Sequence, residues 1–175
     1  MALGKPSALW TTPSRRPWST QTMSSDHSAP VSAHPTGADV LVVDGANVVG
    51  SRPDGWWRDR PGAAARLHRR LLATPDLADL VVLVLEGQAR AGVPEGRTGA
   101  VAVVHAAGEG DDRIVAEAAA ATGPGTRVAV VTADRQLRGR VIALGAAVVG
   151  PDRLISGLAE DPSASDRTGA PDRLD

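Results

Sequence analysis

Five short runs of uninterrupted apolar, mostly β-branched residues constrain this chain more than any other feature. They are Val40-Leu41-Val42-Val43, Leu80-Val81-Val82-Leu83-Val84-Leu85, Val101-Ala102-Val103-Val104, Val128-Ala129-Val130-Val131 and Ala146-Ala147-Val148-Val149. None alternates with polar residues, so each strand has to be covered on both faces. Parallel sheets wrapped by helices contain such strands. Helical periodicity fills the intervals. Gly62 to Ala73 places Ala64, Leu67 and Leu71 on one face, Asp111 to Thr122 places Ile114, Val115 and Ala118, and Arg135 to Leu144 places Leu137, Val141 and Leu144. Strand–helix alternation with right-handed crossovers predicts an α/β three-layer sandwich around a central parallel sheet of about five strands. Gly87 to Gly99, which contains Pro94, reads as a loop too short and polar for a full helix. Gly123-Pro124-Gly125 reads as a helix stop and a turn.

The strands and helices occupy residues 38–160. Residues 1–37, rich in Ser, Thr, Pro and Ala without sustained periodicity, read as a disordered tail, and residues 161–175 as a second one. Ser14-Arg15-Arg16-Pro17-Trp18 hints at a twin-arginine signal, but the ten residues Ser19 to Ser28 hold no apolar segment to follow it. Met23 is an alternative start. With no cysteine among the 175 residues, disulfides, thiolate metal sites and cysteine nucleophiles are excluded. No apolar run reaches the roughly 18 residues of a transmembrane helix, so no membrane role and a cytoplasmic location are expected. The net charge of −1 gives no global attraction to nucleic acid.

Ligands of an open parallel sheet bind at the carboxyl ends of its strands, and here those ends are acidic. The runs lead into Asp44-Gly45-Ala46-Asn47, Glu86-Gly87, His105 with Glu109-Gly110-Asp111-Asp112, Thr132-Ala133-Asp134 and Gly150-Pro151-Asp152. Each alone has a plainer reading: Asp44 as a turn residue, Asp111, Asp112 and Asp134 as helix caps, Glu86 as a solvated strand end, Asp152 as a surface turn. Their convergence on one sheet edge points to a cation that offsets mutual repulsion. Hard oxygen ligands without cysteine select Mg²⁺ or Mn²⁺. At about 100° per residue, Asp111 shares the sheet-facing side of its helix with Ile114 and Ala118 and so points toward Asp44. Asp112, a quarter-turn away, is an outer or alternate ligand.

Other chemistries find no support. There is no P-loop motif. Gly108-Glu109-Gly110 lies between a strand and a helix like part of a dinucleotide fingerprint, but Arg113 holds the third glycine position and two aspartates at the helix start would repel a pyrophosphate. His68 reads as a packed ring, and His105 as a strand end. No nucleophile elbow is present.

In order, three segments resemble a known family. Val42-Val43-Asp44-Gly45-Ala46-Asn47-Val48 looks like the opening strand and Asp-Gly-x-Asn turn of the NYN branch of PIN-like nucleases. Glu109-Gly110-Asp111-Asp112-Arg113-Ile114-Val115-Ala116 is similar to the acidic helix start of PIN and flap-endonuclease domains, with Gly110 where Ala is usual. Val130-Val131-Thr132-Ala133-Asp134 resembles their Val-Val-(Thr/Ser)-x-Asp strand. The likeness spans residues 39 to about 155. It implies a PIN-like fold with strand order 3-2-1-4-5, and metal-dependent hydrolysis of RNA phosphodiesters to 5′-phosphate and 3′-hydroxyl ends. Carried over by position, Asp44, Asp111 and Asp134 form the metal-binding core, with Asn47 ordering the site and Thr132 contacting a phosphate or the loop backbone. Asp112 and Glu109 would serve a second ion or its waters. No role transfers to Glu86.

The RNA partner is expected on arginines that follow the acidic edge. Arg69 and Arg70 lie on the helix after the first strand, and Arg138 and Arg140 on the helix after Asp134, where they would grip phosphates. Trp56, next to Trp57, would stack on an unpaired base. The competing readings are a non-catalytic RNA- or protein-binding PIN-like module and a small-molecule phosphohydrolase. The latter lacks the Asp-x-Asp nucleophile pattern. Which RNA is cut, a toxin role and a homo-oligomeric state are left open.

Overall fold

Alternate residues of the apolar runs enter two separate cores, which is why the runs carry no polar residue. The computed structural model describes residues 35–163, all within one compact unit. Along them run β1 (Val40–Asp44), α1 (Gly45–Gly50), α2 (Arg60–Ala73), β2 (Leu80–Leu85), β3 (Gly96–Thr98), β4 (Val101–His105), α3 (Gly110–Ala121), β5 (Val128–Val131), α4 (Arg135–Ala143), β6 (Ala147–Val149) and α5 (Pro151–Gly157). The six strands form one sheet in the order β3-β4-β2-β1-β5-β6. All neighbours are parallel except β3, which lies antiparallel on β4. Without that edge strand the order is the expected one.

Leu41 and Val43 of β1, with Leu83 and Leu85 of β2, pack under α1, α2 and α5 through Val48, Ala64, Leu67, Leu71 and Leu154. Val42, Val82, Val84 and Val130 point the other way onto Ile114 and Ala118 of α3 and Leu137 and Val141 of α4. The result is three layers. Burying one such Val or Leu contributes about 1.5–3 kcal/mol, so both faces of the sheet are committed.

The segment expected to be a plain loop, Gly87 to Gly99, contains a 3₁₀ stretch (Gly87–Gly92) and β3. The 3₁₀ stretch covers part of α2. A Cβ on Gly92 would lie 2.0 Å from the Pro61 carbonyl oxygen, so only glycine permits that approach. The tail expected over 1–37 lies outside the described residues except for its last three, of which Thr36 donates from Oγ1 to the Leu77 carbonyl. The Arg15-Arg16 pair, Met23 and residues 164–175 also lie outside them. Asp161 is fastened to the domain by two bonds from Arg69, at 3.0 and 2.7 Å. No helix among the described residues is long and apolar enough to cross a membrane.

Candidate functional site

Asp44 is the last residue of the central strand β1 and is only 5% exposed. Its Oδ1 accepts the Asn47 N–H at 3.0 Å, which caps α1, and its Oδ2 accepts the Thr132 hydroxyl at 3.0 Å. Thr132, 1% exposed, follows β5 and in turn accepts the Asp134 N–H on Oγ1 at 3.1 Å. The Asn47 side chain reaches the same strand end, its Oδ1 accepting the Ala133 N–H at 3.2 Å. These bonds tie the end of β1 to the end of β5. Asn47 therefore bridges the two strand ends through its own N–H and its side-chain oxygen. Thr132 is buried, and of the two contacts expected of it, a phosphate or the loop backbone, it makes the second, at Asp134, while also donating to Asp44.

A cavity of about 110 Å³ opens beside Asp44, lined by Asn47, Glu86, Gly110, Asp111, Ile114 and Asp134 among others. Asp111 reaches it from the first turn of α3, on the same face as Ile114, as helical geometry requires. Asp134 caps α4, its Oδ1 accepting the Leu137 N–H at 2.7 Å, and still lines the cavity. Glu86, given no role by the sequence, comes from the end of β2, and its Oε2 accepts the Gly110 N–H at 2.5 Å.

Burial pushes the Asp44 carboxyl above its ordinary value; its bonds to Asn47 and Thr132 oppose this, and the Asp111 and Glu86 charges add to it. Asp111 is also raised, first by burial, then by Asp134, with Arg140 opposing and Glu86 and Glu109 adding. A cation would relieve this repulsion, and the all-oxygen donor set suits a hard divalent ion. Among the described residues, no three Asp, Glu or His side chains are already gathered to hold one. Mg²⁺ is ordinarily held by one or two carboxylates, with water and substrate phosphates completing its shell, so the donor chemistry fits without a finished protein cage.

Several expected site residues lie elsewhere. Asp112 turns away from the cavity, its side chain 86% exposed and paired with Arg140 at 2.6 Å. Glu109 is exposed at the N-terminal boundary of α3 and makes no side-chain cap bond. Neither aspartate caps α3; the cap comes from Glu86. His105 is held through Nε2 at the Val93 carbonyl and by its N–H on Glu95.

The two arginine clusters separate. Arg140 spans α4 and α3 beside the cavity, and Arg138 is exposed on α4. Arg69 and Arg70 sit on the other layer. Arg69 is paired with Asp161, and Arg70 donates to the carbonyls of Ile155, Leu158 and Ala159, closing the end of α5. Arg70 lines a different cleft, of about 140 Å³, between α1, α2 and α5. Spacing along α2 showed a basic run but not which layer it faces. Of the indole pair, Trp56 is half-buried beside Gly50 with the Arg60 guanidinium 5.4 Å from its ring centroid, whereas Trp57 stands edge-on to it and 52% exposed. Trp57 is thus the free aromatic face.

No protein-family profile and no curated protein match this chain. Solved structures do. Rae1 (YacP) from Bacillus subtilis superposes with a TM-score of 0.53 at 20% identity, over 74% of this chain and 77% of its own. A single-substitution mutant of the same Bacillus subtilis protein gives 0.52 at 18% identity, over 74% and 78%. The chain therefore has an α/β, PIN-like fold, with a mostly parallel six-stranded sheet.

Proposed function

We propose that this protein is a divalent-metal-dependent ribonuclease of the NYN, PIN-like kind. The observation that carries the reading is the convergence of Asp44, Asp111, Asp134 and Glu86 on one cavity at the carboxyl edge of the sheet. The three aspartates occupy the positions that the resemblance assigns to metal ligands. Asp44, Asp111 and Asp134 would hold Mg²⁺ or Mn²⁺. Such an ion, when bound, activates water and neutralises charge on the phosphoryl group.

The chain's own residues do the rest. Asn47 and Thr132 hold the Asp44 carboxylate in place. Arg140 and Arg138, on the α4 side of the cavity, would draw the phosphates toward carboxylates that otherwise repel them. Trp57 would stack on an unpaired base. Water adds to phosphorus, the bond to the 3′-oxygen breaks, and that oxygen takes up a proton, leaving 5′-phosphate and 3′-hydroxyl ends. Cytoplasmic RNA is the substrate in this reading, and residues 38–160 suffice for activity.

A second reading, a PIN-like module that binds RNA without cutting it, is favoured by the lack, among the described residues, of three ligands already gathered around one point. One experiment separates the two. Wild type and Asp44→Asn are incubated with mixed RNAs, with and without Mn²⁺, and the ends are mapped. Metal-dependent 5′-phosphate ends from the wild type alone support the nuclease. RNA left intact by both, but retained on a filter, supports the binding module.

A further inference from the structure

The first backbone N–H groups of a helix have no partner within it. At α3, Glu109 does not cap with its side chain, and Glu86 from the end of β2 supplies the acceptor, across 24 residues, for the Gly110 N–H. Gly110 itself is buried. A Cβ built on it would lie 2.9 Å from Glu86 Oε2 and 3.4 Å from Cδ. A methyl group at position 110 would press on the Glu86 carboxylate, the far end of a flexible side chain, which would give by a few tenths of an ångström. The residue next to Gly110 is Asp111, which lines the cavity from that same first turn.

We propose that Glu86 is a positioning residue: through the Gly110 N–H it locks the start of α3 to β2, and so aims Asp111 at Asp44. For its effect on cleavage this rests on the nuclease reading; the lock itself does not. Its function depends on an acceptor oxygen at that position rather than on negative charge. Glutamine keeps the acceptor and alanine removes it.

The test uses the whole chain and two readouts. The first is the ¹H–¹⁵N spectrum in the absence of metal. The Gly110 amide proton should lie downfield in the wild type, move partway upfield in Glu86→Gln, and lose the displacement in Glu86→Ala. A Gly110 amide indifferent to Glu86→Ala overturns the proposal. The second is Mn²⁺-dependent cleavage of RNA. Displacing a catalytic group by about 1 Å can slow a reaction as much as 100-fold, so Glu86→Ala should lose about 10- to 100-fold. Glu86→Gln should restore most of that loss. Equal losses in Glu86→Gln and Glu86→Ala would show that Glu86 acts by its charge, which overturns the proposal. If the wild type cuts no RNA while the amide shifts follow the pattern, the nuclease reading fails and the lock stands.

Discussion

Thr132→Val is the sharpest test of how the site is built. The two side chains have nearly the same shape, so the change removes a hydroxyl and little else. That hydroxyl belongs to a residue 1% exposed, donates to Asp44 Oδ2 at 3.0 Å and accepts the Asp134 N–H at 3.1 Å. A hydrogen bond to a charged group is worth about 1.5–3 kcal/mol and a neutral one about 1 kcal/mol, so the loss should be about 3 kcal/mol. For a domain of this size that lowers the melting temperature by roughly 10 °C. Thr132→Ser keeps the hydroxyl and gives up one methyl group, about 1 kcal/mol. The loss in Thr132→Val should also depend on pH. Burial already holds the Asp44 carboxyl above its ordinary value, and the Thr132 bond favours the ionised form. Removing the bond raises that carboxyl further in the folded state alone. The penalty is then largest at high pH, where Asp44 is ionised, and shrinks as pH falls and Asp44 takes up a proton. Urea melts of all three proteins at pH 8 and pH 4, without metal, provide the measurement. If Thr132→Val is no less stable than Thr132→Ser at pH 8, or its deficit is the same at both pH values, the hydroxyl does not support Asp44.

Mn²⁺ should raise the melting temperature of the wild type by mass action, and Asp44→Asn, Asp111→Asn and Asp134→Asn should each weaken the rise; an undiminished rise in all three would place the ion elsewhere. Arg70→Ala should lower stability by about 2 kcal/mol, because three carbonyls around the end of α5 lose their donor, and leave RNA affinity unchanged in filter binding, whereas charge reversal at Arg138 and Arg140 should weaken it and flatten its salt dependence. Trp57→Ala should reduce affinity for single-stranded RNA by about 1–3 kcal/mol without a change in melting temperature. Arg69 holds the Asp161 carboxyl well below the ordinary carboxylate range. The pair therefore stabilises the fold above about pH 4 and the benefit fades as the medium becomes more acidic; Arg69→Ala should cost about 1 kcal/mol at pH 7 and almost nothing in strong acid, as read by urea melts.

The strands were readable because each is a continuous apolar run, and a run buried on both faces admits few other structures. The order of the sheet came with the resemblance, and Asp111 was placed by helical angle alone. The short helices α1 and α5 escaped notice because six or seven residues hold less than two full turns of periodicity. Gly96-Arg97-Thr98 has no apolar residue to mark it as a strand; its pairing is set by β4. Glu86 was visible as an acidic strand end, but its partner lies on an element 24 residues away, and only the glycine at 110 hints that something fills that space. The basic run on α2 illustrates the opposite failure. Arg69 and Arg70 stand out in the sequence, yet the chain itself uses both, on Asp161 and on the end of α5.

The bonds that join the ends of β1 and β5 link residues 88 apart, from Asp44 to Thr132. Contacts so distant along the chain form late, after the loop between them has closed. During synthesis, the segment carrying Asp44, Glu86 and Asp111 emerges well before Thr132 and Asp134. Until β5 docks beside β1, Asp44 lacks the hydroxyl that steadies it and the cavity lacks one wall. A growing or prematurely ended chain that stops short of residue 134 therefore presents the acidic residues without the assembled site.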